Sequence, residues 1–337
     1  MKKCTSVIFV FVLLFQLSVL GITASAEVVS YDNNTLNSWF LDGQCPGELD
    51  YVYYAPETQA DTKYPLVVWL HGSNSGTYAR KQLEEYQFSN WASPEYQARF
   101  KNAGGAFLLA PRSSKDPAHN WYATSCSSVK NTIDYFISLY GDKIDTERIY
   151  IIGYSTGGSL VWNMVTKYPG FFAAAMPIAS MYNPTSAELN ELSDIAVWMF
   201  NCEKDFYASA KTSMARSSFN TLQEITASPA SVRLTSFSQS INPDNTKLSK
   251  LEKEHYIWIA VTNDMFMDTN EQYYYTKTID ATGSEITFKH PDGVISWLSE
   301  QRSASYSNDD TEEQNFFQKI IAFFTDLFNK ILAFFNF

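Results

Sequence analysis

The chain has 337 residues, 45% of them hydrophobic, with 36 acidic against 25 basic side chains and a formal charge of −11. That length suits one large globular domain or two small ones, with ample chain to bury a core without disulfide staples. The acidic balance disfavours nucleic acid and anionic membrane as partners and keeps an exported protein soluble.

Residues 1–26 read as a targeting signal. Lys2 and Lys3 precede an apolar run from Val7 to Val19, broken only by Gln16 and Ser18, and Ala24 and Ala26 take the small-residue positions of a signal-peptidase site. The run is shorter than the ~20 apolar residues of a membrane span. The expectation is a cleaved signal and a secreted protein. Cys4 leaves with the signal, so Cys45, Cys126 and Cys202 remain. An odd count leaves their pairing open between one bridge plus a thiol and three buried thiols. No spacing resembles a metal site, and neither a metal nor a cofactor is expected.

Residues 27–302 form the expected catalytic domain. Near-continuous apolar runs recur at 49–56, 64–72, 105–111, 148–154, 172–180, 195–201 and 231–237. Such runs suit strands buried on both faces of a mostly parallel sheet. Helical candidates, Ser127–Tyr140 and Thr156–Tyr168, lie between them. Strand and helix in alternation predict an α/β doubly wound sheet with helices on both faces, whose ligands sit beyond the carboxyl ends of the strands.

Three strand ends carry reactive side chains: His71-Gly72-Ser73 after "LVVWL", Ser155 after "RIYIIGY", and Asp205 after "IAVWMFNCEK". A serine hydroxyl is a poor nucleophile until an imidazole takes its proton and a carboxylate holds that imidazole. In "GYSTGG", Gly153 and Gly157 remove Cβ atoms that would collide where a strand turns sharply into a helix.

Taken in order, "YPLVVWLHGSNSG", "RIYIIGYSTGG", "VWMFNCEKDFY" and "EHYIWIAVTND…VISWL" resemble the landmarks of the α/β-hydrolases across roughly residues 49–300. More narrowly the chain resembles a secreted esterase group that includes feruloyl esterases, polyhydroxybutyrate-depolymerase-like enzymes and prolyl-oligopeptidase-type hydrolases. The resemblance implies an α/β-hydrolase fold and a triad in the order Ser, acid, His. It makes Ser155 the nucleophile and puts Asp205 in the acid's position, with Glu203 as the competing carboxylate; Asp205 as a mere helix N-cap is the alternative. His255, in "HYIW", takes the base's position. His290 precedes the expected final helix, His119 comes before the nucleophile, and His71 belongs to the oxyanion loop. The oxyanion donors implied are the backbone N–H groups of Thr156 and Ser73, with Gly72 as the alternative.

The segment from Met181 to Asp194 is too short for a large lid domain, although Arg80–Lys101 has the length to cover part of the site. Trp121 and Tyr122, beyond a strand end, are candidates to line a substrate pocket. The expected activity is that of a serine carboxylesterase acting on plant-polymer or other extracellular esters. The alternatives are a serine peptidase of prolyl-oligopeptidase type and a non-catalytic binding module.

Residues 303–315 read as a polar, acidic linker. Residues 316–337 repeat a pattern at a spacing of eleven, almost three helical turns, so both copies present one face. The expectation is an amphipathic C-terminal helix that lies in a membrane surface or self-associates.

Overall fold

The computed structural model describes residues 31–73, 77–101, 103–113, 120–192, 195–226, 228, 231–238, 249–263, 276–280, 282–286 and 293–303. The expected signal at 1–26, the linker and helix expected beyond Ser303, and His119 and His290 lie outside them. The chain divides into Met1–Asp32 and Asn33–Phe337, and every element named here belongs to the second unit.

Strands β1 (Leu41–Gln44), β2 (Asp50–Tyr54), β3 (Tyr64–Leu70), β4 (Phe107–Pro111), β5 (Ile144–Tyr154), β6 (Ala174–Ile178), β7 (Ala196–Cys202), β8 (Val232–Phe237) and β9 (Thr276–Asp280) form one sheet. Its order is β1-β2-β4-β3-β5-β6-β7-β8-β9. The block from β4 to β8 is parallel, while β2 joins β4, β1 joins β2 and β9 joins β8 in antiparallel fashion. The helices are α1 (Asn33–Ser38), α2 (Lys81–Tyr86), α3 (Pro94–Gln97), α4 (Cys126–Tyr140), α5 (Thr156–Lys167), α6 (Ser186–Leu189), α7 (Thr212–Ile225), α8 (Lys250–His255), α9 (Trp258–Thr262) and α10 (Val294–Glu300).

The apolar runs become strands because both faces of the sheet are covered. On β3, Val67 and Trp69 enter one core while Leu66, Val68 and Leu70 enter the other. On β5, Tyr150, Ile152 and Tyr154 face the first core, and Ile149 and Ile151 the second. This period of two, apolar on both sides, leaves no polar face in the sequence. Val129, Ile133 and Phe136 of α4, Leu160 and Met164 of α5 and Phe219 of α7 close the second core. Leu83 and Tyr86 of α2, Ile259 of α9 and Ile295 and Leu298 of α10 close the first.

The segment 80–101 is tied to the His255 end of the chain. Trp91 Nε1 donates to Thr262 O at 3.0 Å, and Asn90 Nδ2 to Asn263 Oδ1 at 2.8 Å. Asn263 Nδ2 in turn donates to Gln87 Oε1 at 2.9 Å. These side chains make the segment a buttress for the end of α9. Because β3, β5, β6 and β7 run parallel, their carboxyl ends bring residues 71–73, 155, 181 and 205 to one edge of the sheet.

Candidate active site

Ser155 stands between β5 and α5 with φ 55° and ψ −115°. A side chain there is strained, so the surroundings must enforce it. The Ser155 N–H donates to Ile178 O at 2.9 Å, which fixes the turn against β6. Helix α5 also passes so close to β3 that a Cβ on Gly157 would sit 2.1 Å from Leu70 O and 2.5 Å from His71 O. Both obstacles are backbone and neither can swing away.

Ser155 Oγ lies 3.1 Å from His255 Nε2, and His255 Nδ1 lies 2.9 Å from each carboxylate oxygen of Asp205. A carboxylate only accepts, so Nδ1 carries the proton and donates, leaving Nε2 to accept from the serine hydroxyl. All three residues are buried. Asp205 Oδ1 also accepts the Tyr207 N–H at 2.8 Å. Asp205 therefore holds this turn and the imidazole at once. Glu203 points elsewhere and accepts from Ser236 Oγ at 3.3 Å.

The imidazole is sandwiched. The Tyr207 ring meets it edge-on at 4.8 Å between centroids, and the Tyr154 ring lies at 5.1 Å on a tilt. Burial, and then the phenols of Tyr86 and Tyr256, push the Tyr154 hydroxyl well above its ordinary range, so it stays protonated.

On the loop after β3, the Ser113 N–H donates to His71 Nε2 at 3.0 Å. The His71 proton is therefore on Nδ1, which donates to Gly72 O at 2.6 Å. His71 is a fully buried neutral brace. The Gly72 N–H donates to Tyr86 Oη at 3.1 Å, so it is already engaged. Thr156 heads α5, where first-turn N–H groups have no partner within the helix.

Trp121 is buried, with its ring 4.9 Å from that of His71. Packed against His71, it leaves almost none of its surface to a substrate; the sequence cannot tell an exposed aromatic beyond a strand end from one folded back into the protein. Tyr122 is half exposed. Sequence reasoning misses Met181, whose Sδ lies 3.7 Å from Ser155 Oγ, and with it Tyr154, Tyr207 and Tyr86. For Tyr154, at the end of β5, and Tyr207, just beyond β7, the strand end is the signal that points to them.

Cys45, Cys126 and Cys202 are buried, and no two are bridged among the described residues. Burial pushes the Cys126 and Cys202 thiols up to about 11, which keeps them protonated and unreactive. Among the described residues no group of three or more His, Cys, Asp or Glu side chains is arranged to hold a metal ion.

The sequence profile of the prolyl oligopeptidase family matches residues 117–234. Feruloyl esterase B of Talaromyces funiculosus is 28% identical over 162 residues, 43% of this chain and 42% of its own. Poly(3-hydroxyalkanoate) depolymerase C of Paucimonas lemoignei is 26% identical over 149 residues, 41% of this chain and 32% of its own. The chain thus spans less than half the length of these curated relatives. The crystal structure of a thermostable esterase superposes with a TM-score of 0.57 at 25% identity, over 79% of this chain and 64% of its own. With a parallel sheet in this order, a serine on the turn after β5 and likenesses of this kind, the chain has the α/β-hydrolase fold.

Proposed function

We propose that the chain is a serine hydrolase that cleaves carboxylic esters, with Ser155 as nucleophile, His255 as base and then acid, and Asp205 holding the imidazole. The observation that carries this reading is the 3.1 Å approach of Ser155 Oγ to His255 Nε2 on a strained turn between strand and helix. The Ser155 hydroxyl passes its proton to Nε2 as Oγ bonds to the acyl carbon. The carbonyl oxygen takes up negative charge toward the N–H groups of Thr156 and Ser73. The bond to the alcohol oxygen then breaks, and Nε2 protonates that oxygen as it departs. Water repeats the sequence on the acyl-enzyme, which releases a carboxylic acid and restores the serine.

The likeness to a feruloyl esterase and to a thermostable esterase supports an ester as substrate, and the likeness to a poly(3-hydroxyalkanoate) depolymerase supports a polymer-linked one. Hydrolysis of p-nitrophenyl acetate and butyrate, lost in Ser155→Ala together with labelling by a fluorophosphonate, tests it. A folded wild-type protein that turns over no short ester and takes no label ends the reading. The match to the prolyl oligopeptidase profile favours a peptidase as the second reading. Cleavage of proline-linked chromogenic peptides faster than of any ester would select it.

The apolar run behind Lys2 and Lys3 supports secretion, and the eleven-residue repeat in 316–337 supports attachment to a membrane surface. Among the described residues no helix is long and apolar enough to cross a membrane. Deletion of 303–337 is expected to leave ester hydrolysis in place and abolish sedimentation with liposomes. A mature protein that never sediments with liposomes removes the attachment.

A further inference from the structure

We propose that Met181 sets the size of the acyl group that this site accepts, restricting it to short chains; the inference rests on the ester-hydrolase reading above. Ser155 Oγ lies 3.1 Å from His255 Nε2 and 3.7 Å from Met181 Sδ. In the tetrahedral intermediate the carbon bonded to Oγ carries three other groups. The oxyanion turns to the backbone donors, and the alcohol oxygen must face Nε2, which protonates it. The acyl substituent takes the remaining direction, where Met181 stands against Oγ. At 3.7 Å the thioether is already in van der Waals contact with the nucleophile, so a long chain has no passage between them.

The segment that carries Met181 is pinned. Its N–H donates to Ser159 Oγ at 3.1 Å, and that hydroxyl donates to Ser155 O at 3.2 Å, which ties the methionine to the nucleophile's own turn. Ser180 Oγ bonds both the carbonyl and the N–H of Tyr182, Tyr182 Oη donates to Glu188 Oε1 at 2.6 Å, and Asn183 Nδ2 reaches Ser209 O at 3.1 Å. The wall is therefore braced behind the methionine, and only the flexible thioether tip can adapt. Around His255 the surface is open by contrast: Tyr207 is 37% exposed and Phe206 53%. The site is bounded by the braced, partly buried Met181 on the acyl side and by exposed aromatic rings on the alcohol side. That asymmetry selects a short acyl group carried on a large alcohol.

Steady-state kinetics on p-nitrophenyl acetate, butyrate and octanoate hold the leaving group constant and vary only the acyl chain. The wild-type kcat/KM is expected to fall at least about tenfold from acetate to octanoate. Met181→Ala is expected to raise the octanoate-to-acetate ratio about tenfold or more, while Met181→Leu, of similar volume, keeps the wild-type order. Met181→Val reads the same ratio if the alanine variant does not fold. A wild-type enzyme that prefers octanoate, or an unchanged ratio in the shortened variants, overturns the role of Met181 and leaves the esterase reading standing. A folded wild-type protein inactive on all three esters and unlabelled by a fluorophosphonate takes down both.

Discussion

His255 Nδ1 faces both carboxylate oxygens of Asp205 at 2.9 Å, and one of those oxygens also holds the Tyr207 N–H. The carboxylate thus fixes the tautomer of the base and the loop whose tyrosine ring packs on it. Asp205→Asn keeps an acceptor for the turn but presents an amide to the imidazole, which favours the wrong tautomer. The expected loss in kcat is about 10³–10⁴-fold. Asp205→Ala removes the turn acceptor as well and is expected to cost roughly 1 kcal/mol of stability beyond the asparagine variant. Kinetics paired with denaturant melts separate the two losses; equal stability of the variants would deny the turn its role.

Ser155 is a side chain held at φ 55° and ψ −115°, where only glycine is at ease. Ser155→Gly relieves that strain and discards the nucleophile. It is expected to raise stability by about 1–3 kcal/mol while abolishing ester hydrolysis. Ser155→Ala, which keeps a Cβ, should lose activity equally and gain little stability. A thermal melt of both variants checks the difference, and a glycine variant no more stable than alanine would mean that the turn is not strained.

Much of this fold is legible in the residues because burial writes itself as apolar runs. Periodicity finds β2 to β8, each largely enclosed by its neighbours. It misses β1, "LDGQ", which is largely exposed, and β9, "TKTID", whose buried positions include a threonine and so make no apolar run. Ser155, Asp205 and His255 stand out because a strand end, an order and a spacing point to them. Met181 does not, because its place depends on Ala179, which turns the chain after β6 at φ 45°. Alanine carries no mark of a left-handed backbone. Trp121 and Tyr86 are equally silent, since their burial against the oxyanion loop is a tertiary fact.

Tyr86 Oη accepts the Gly72 N–H, and the ring packs edge-on against Trp258 at 5.0 Å. Tyr86→Phe keeps that packing and strands the N–H inside the protein. The expected cost is about 1–3 kcal/mol. Because Gly72 precedes Ser73, kcat is also expected to fall, though by less than the ~10²-fold that follows removal of a whole oxyanion donor. Urea melts and kinetics on p-nitrophenyl acetate check both, and unchanged stability would show that another group replaces the phenol.

Glu252 closes a capping box at the head of the helix that ends in His255: the Ser249 N–H donates to Glu252 Oε2 at 2.6 Å and the Glu252 N–H returns to Ser249 Oγ at 3.3 Å. The Ser249 side chain, and then the Ser249 N–H, hold the Glu252 carboxyl below its ordinary value of 4.5. A carboxylate whose folded value is depressed stabilises the fold fully above the ordinary value and loses that contribution as pH falls through the lowered one. Glu252→Gln keeps the shape of the box without the charge, so it should be less stable than wild type at pH 7. The gap should narrow below pH 4.5 and close under the folded value of Glu252. Thermal melts of both proteins from pH 7 to pH 3 test the sign, and a gap that widens toward acid would reverse the assignment of the cap to the ionised carboxylate.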